Sequence, residues 1–182
     1  GAQSNELSAT PHTTTNTTIA SDAFERTVGA GWGNADTGGA WSVSSSARTQ
    51  VANGNGLVYG FTAGNQDVQA WLGSLTPANS ETLVEINLGA NPTGGSVQPR
   101  VMARAQASDA RNGYGARIVQ TTSGAITWGL QRYVNAGGTN TLGLGSGTLL
   151  SSGGANTSWW IRLRVQGTTI SAKFWQNGTS EP

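Results

Sequence analysis

The sequence predicts an all-β domain, a sandwich or a barrel, and three observations carry that prediction. From Asp22 onward, short runs of alternating apolar and polar residues recur between Gly-rich turns. Gly, Ser, Thr and Asn fill 82 of the 182 positions, and these residues favour turns and caps over helix interiors. Seven Trp accompany a modest supply of aliphatic side chains, so fewer, larger groups must fill the core.

Residues 1–20 show no periodicity and carry a cluster of Thr; they read as a flexible N-terminal arm or linker, and residues 21–182 as one domain. Strands are expected near residues 40–44, 48–52, 56–61, 66–74, 81–89, 97–107, 113–121, 125–134, 140–149, 158–166 and 168–176, with no helix. Because successive strand side chains point to opposite sides, alternation assigns faces. Val68, Ala70 and Leu72 form one core row, Val84, Ile86 and Leu88 a second, and Val97, Val101, Ala103 and Ala105 a third. A three-residue turn at Thr122-Ser123-Gly124, with Gly in the left-handed position, pairs Ile118 with Trp128 and Ala116 with Leu130. The same register sets Tyr114 against Arg132, read as a strand end reaching for solvent. A two-residue turn at Gly167-Thr168 pairs Ile161 with Phe174, Leu163 with Ala172 and Val165 with Ile170, six apolar residues on one face.

Composition removes many chemistries. Ten basic and nine acidic residues leave a net charge of +1, without the basic footprint of a nucleic-acid groove. No Cys and one His leave no Cys nucleophile or disulfide and argue against zinc sites and His-based triads. His12 falls in the arm and reads as solvated. A glycosidase needs two carboxyl groups about 5–9.5 Å apart. The close acidic pair, Glu81 and Glu85, is four strand residues apart, about 13 Å, so no enzyme is expected. Gly29–Gly33 and Gly143–Gly147 lack the Lys and helix of a phosphate loop and read as turns or bulged strands. No cofactor is expected; calcium on Asp22 or Asp36 is a minor option without an acidic loop motif behind it. No run of 18 apolar residues predicts a membrane insertion.

The faces opposite the core rows hold the candidate site. Trp160 lies across from Trp175, with Arg162 opposite Lys173 and Arg164 opposite Ser171. Trp71, with Gln69 and Asp67, is off-core on its strand, as are Arg100, Met102, Arg104 and Gln106 on theirs. Indole rings flanked by amides, carboxylates and guanidinia suit sugars, whose C–H faces stack on aromatics while their hydroxyls take polar side chains. The candidate ligand-binding residues are therefore Trp71, Trp160, Trp175, Arg104 and Gln69. The competing reading is a Trp pair covered by the tail, a loop or a neighbouring subunit, beside ordinary solvated Arg rows.

Three segments carry a family resemblance: DAFERTVGAGWGNADTGGAW from Asp22 to Trp41, GYGARIVQTTSGAITWGLQRY from Gly113 to Tyr133, and WWIRLRVQGTTISAKFWQNGTSEP from Trp159 to Pro182. Together they resemble the concanavalin A-like, laminin-G-like jelly rolls of bacterial secreted proteins and bacteriophage virion proteins. The resemblance implies two antiparallel sheets stacked as a jelly roll, with Phe24, Trp32 and Trp41 packing a corner of the core and Trp128 and Trp159 in the core too. It also implies an extracellular or virion-surface location. Within that family the fold serves lectins, carbohydrate-binding modules, enzymes and structural modules alike. Relatives usually continue past the Gly-Thr-x-Glu-Pro turn for another strand or two, so an open sheet edge is expected here, filled by the arm or by a neighbouring chain. The expected function is a non-catalytic carbohydrate-binding or adhesion module recognising a glycan or cell-surface polysaccharide. The alternative is a structural decoration or tail module that assembles through protein contacts.

Overall fold

The computed structural model describes residues 17–61, 66–73, 75–105, 112–134 and 140–182. The arm before residue 17 and the candidate Gln106 lie outside the described residues. Eleven strands follow one another: β1 Trp41–Val43, β2 Thr49–Ala52, β3 Asn55–Val58, β4 Ala70–Leu72, β5 Ser80–Asn87, β6 Arg100–Ala103, β7 Gly113–Gln120, β8 Ile126–Val134, β9 Asn140–Leu150, β10 Ser158–Gln166 and β11 Thr169–Gln176. A single 3-10 turn, Ser46–Arg48, precedes β2. Among the described residues every strand pairing is antiparallel, and each predicted strand region overlaps one observed strand.

The strands form a four-stranded sheet in the order β6-β7-β8-β9, a three-stranded sheet in the order β11-β10-β5, and two ribbons, β1-β4 and β2-β3. None closes on itself, so the barrel option falls. Both larger sheets feed one apolar core: Val101, Ala103, Ala116, Ile118 and Ile126 from one, Trp159, Ile161, Leu163 and Val165 from the other, with Leu88 beside them. Trp128 on β8 stacks on Phe174 of β11, ring centres 5.3 Å apart, and bridges the two layers. Each fully buried Ile or Leu here contributes about 1.5–3 kcal/mol by leaving water.

Both hairpins take the expected register. Ile161 faces Phe174, Leu163 faces Ala172 and Val165 faces Ile170; Ile118 faces Trp128, Ala116 faces Leu130 and Tyr114 faces Arg132. Gly124 adopts φ +79°, the left-handed conformation its turn requires. Arg132 is exposed, as a strand-end cation should be. Of the three core rows, Val101, Ala103 and Leu88 are buried and Val84 and Ile86 pack against the core. Val97, Ala105, Val68, Ala70 and Leu72 are only half-buried. The reason for the last two is local: β4 pairs with β1 in a two-stranded ribbon rather than entering a larger sheet.

The second Gly-rich stretch lies inside a strand. β9 pairs with β8 through two register irregularities, and Gly145 and Gly147 lie beneath the Trp128 ring. A Cβ on Gly147 would stand 2.6 Å from Trp128 Nε1, too close for any side chain without displacement.

Phe24, Trp32 and Trp41 do form an aromatic corner, but it stands apart from the core that the two larger sheets share. Trp32 meets Phe24 and Trp41 edge-on at 5.4 and 5.1 Å. Trp32 Nε1 donates to the Leu57 carbonyl at 3.1 Å and ties the corner to β3. Trp159 is buried and Trp128 half-buried.

Candidate functional site

The alternation that buries Ile161 and Leu163 turns Trp160, Arg162 and Arg164 to the outer face of the three-stranded sheet. Register then fixes their neighbours. Trp160 stands between Glu85 of β5 and Trp175 of β11, Arg162 between Leu83 and Lys173, and Arg164 between Glu81 and Ser171. The two indoles lie 17° from parallel with ring centres 6.2 Å apart, and both are half-buried.

Polar groups frame the pair. Trp160 Nε1 donates to Asn177 Oδ1 at 3.3 Å, and Asn177 Nδ2 donates to Glu85 Oε1 at 2.7 Å. Ser158 Oγ donates to Asn87 Oδ1 at the end of the same face. One row away, Arg162 donates to Glu81 through Nη1 and to Glu181 through Nη2, the latter at 2.8 Å. Lys173 Nζ reaches the other oxygen of Glu181 at 2.9 Å. Arg162, Arg164, Ser171, Lys173, Glu81 and Glu181 border an open cleft of about 210 Å³. Leu83 is 45% exposed beside Arg162 and gives the surface an apolar element.

Hydrogen bonds from Lys173 and then from Arg162 draw the Glu181 carboxyl below its ordinary range. The hydrogen bond to Glu181 is the largest influence raising Arg162, against partial desolvation. Glu81 and Glu181 thus share one guanidinium, but a carboxyl drawn down in this way is the reverse of the proton donor that glycoside hydrolysis needs.

The structure brings together two of the five predicted ligand-binding residues, Trp160 and Trp175. Trp71 lies opposite Ser42 in the β1-β4 ribbon, and Gln69 just before it is engaged internally. The Gln69 backbone exchanges hydrogen bonds with Ser44, and its Nε2 donates to Asp67 at 2.8 Å. Arg104 follows β6 with φ +51° and donates to the Ala78 and Gly167 carbonyls, each at 2.7 Å. It clasps the β10-β11 turn to the segment before β5, a structural use for its donors. Gly167 is seven strand residues from Trp160, about 23 Å along β10. Glu85, Asn177 and Glu181 were missed as site residues. Alternation alone would have placed Glu85 on the outward row, opposite Val84 and Ile86.

Asp22, the weak calcium candidate, has its oxygens committed to nitrogen donors: the Phe24 N–H, Arg26 Nη1 and Nη2, and Trp41 Nε1, all within 2.9 Å. Asp36 Oδ2 accepts the Ala23 N–H at 2.7 Å. Among the described residues no three acidic or His side chains group as metal ligands. No helix there is long and apolar enough to cross a membrane.

Fold and site together define an all-β protein of several antiparallel sheets, the two larger of which share one core, with an aromatic, charged outer face on one of them. No protein family, curated protein or solved structure matches the chain.

Proposed function

We propose that this chain is a non-catalytic carbohydrate-binding or adhesion module, built as a jelly-roll sandwich and carried at the surface of an extracellular or virion protein. The observation that supports the reading is the Trp160–Trp175 pair: two near-parallel, half-exposed indoles on one sheet face, bordered by Glu85, Asn177 and Arg162. Indole faces take the C–H surface of a pyranose, and the flanking carboxylate, amide and guanidinium take its hydroxyls. A glycan array probed with the chain and with Trp160→Ala and Trp175→Ala tests it, with Trp71→Ala as a control in a different sheet. Binding lost in the first two variants and kept in the third is expected. No binding to any sugar at millimolar concentration overturns it.

One observation favours a structural module instead. Trp160 Nε1, Asn177 and Glu85 already satisfy one another through a hydrogen-bonded chain that needs no ligand. In that reading β5 and β11, the outer strands of the three-stranded sheet as described, meet neighbouring chains by strand addition. A concentration-dependent oligomer that persists in Trp160→Ala would favour it.

A further inference from the structure

The row next to the Trp pair carries a cation pair held by a carboxylate from the chain's own C-terminal segment. We propose that this row is a subsite for the carboxylate of an acidic sugar, a uronate or a sialate, and that Glu181 occupies it as an internal stand-in; the inference rests on the carbohydrate-binding reading. Glu181 places one oxygen on Arg162 Nη2 and the other on Lys173 Nζ, at 2.8 and 2.9 Å, bridging cations that face each other across β10 and β11. The Arg162–Lys173 row is two residues along the strands from Trp160–Trp175, about 7 Å. A ring stacked on the indoles therefore reaches the cations with a substituent carboxylate.

The surroundings fit an exchange of carboxylates. Asn177 stays tied to Ser158, Trp160 and Glu85, while residues 178–182 are exposed and the hydrogen bonds Thr179 makes return to Gln176 as a local turn, so Glu181 can move off the cations without opening the sheet. Arg162 Nε is buried without a partner and adds a donor at the same guanidinium. With Glu181 displaced, the cleft presents Arg162, Arg164 and Lys173 against Glu81 alone, a net positive surface. An exposed ion pair is weak enough for a ligand to replace. A sugar carboxylate recovers the same two contacts and adds stacking that Glu181 lacks.

The test is calorimetric titration of the whole chain and of Glu181→Gln with trigalacturonate, with its methyl ester, and with 3′-sialyllactose. Trigalacturonate should bind in preference to its uncharged ester, and Glu181→Gln should tighten the acid on the order of fivefold, the scale of one exposed ion pair, leaving the ester unchanged. Preference for sialyllactose in place of trigalacturonate, with the same gain, also supports the subsite and names the sialate. On the unaltered chain, the Arg162 Nε–H resonance should move with the acid and stay with the ester, a readout independent of any variant. Equal binding of acid and ester, abolished by Trp160→Ala, overturns this inference and leaves the carbohydrate reading standing. An Arg162 resonance indifferent to the acid, or no tightening in Glu181→Gln, also overturns it. No binding in any arm overturns this inference, and the glycan array then decides the carbohydrate reading by itself.

Discussion

Asp22 shows how one carboxylate can organise a corner. Its side chain is 4% exposed, and it gathers Arg26, the Trp41 indole and the Phe24 N–H while the Arg26 guanidinium reaches on to the Trp32 carbonyl. Burial, the largest influence, pushes its carboxyl up, but the hydrogen bonds from Arg26, Phe24 and Trp41 together outweigh it, and the net direction is down. A carboxyl depressed in the fold contributes stability that is present above the ordinary Asp range and lost as pH falls through the depressed value. Urea midpoints should therefore decline between about pH 5 and about pH 2, more steeply in the parent chain than in Asp22→Asn. At neutral pH the substitution should cost roughly 1–3 kcal/mol, because Arg26 keeps its place and loses its counter-charge. Parallel pH profiles for the two proteins would show that Asp22 is not the group responsible. Ile161, fully buried between the sheets, belongs to the same scale. Its truncation to Ala should lower stability by about 2–5 kcal/mol, read from the same urea transitions.

β9 is decided by what crosses it. Trp128 lies over Gly145 and Gly147 and under Phe174 of the facing sheet, so Gly147→Val must press the ring against Phe174 or drive it out of the stack. A loss of about 1–3 kcal/mol is expected, with a changed near-ultraviolet circular dichroism band reporting the displaced indole; an unchanged band would mean the ring is not held there. This strand also marks where sequence reasoning stops. Strand positions, both hairpin registers and the outward placement of Trp160 and Trp175 were legible, because side-chain alternation and a short turn settle them locally. The glycines of β9 read as turns or a bulged strand, and an irregular strand is what forms, but the reason for glycine there, a Trp on another strand, is not local. The pairing of β5 with β10 joins residues as far apart as Ser80 and Val165, and no local pattern encodes it. Without that pairing, Glu81 and Glu85 were an acidic pair with no cleft to face. Arg104 is exposed and off-core as alternation projects, but its left-handed backbone and its partners, the carbonyls of Ala78 and Gly167, lie beyond any local pattern.

Across the whole molecule, stability is concentrated where the two larger sheets share a core and thins toward the ribbons. β10 has paired neighbours on both sides and sets Ile161, Leu163 and Val165 into the core, whereas β1 and β4 meet over three residues each with no fully buried side chain. Local opening follows buried apolar contact and ladder length. Amide exchange should therefore rank β10 slowest, with β7 and β8 close behind, and the β1-β4 ribbon fastest. Leu163→Ala separates this arrangement from one in which the sheets are independent. Its side chain belongs to the three-stranded sheet, but the core it enters also contains Ala116, Ile118 and Ile126 of the other. If the layers stand or fall together, protection should drop in β7 and β8 by as much as in β10, about 2–5 kcal/mol expressed through the exchange rates. Loss confined to β5, β10 and β11 would mean that the four-stranded sheet holds itself together, and that the outer face bearing Trp160 and Trp175 can loosen without disturbing it.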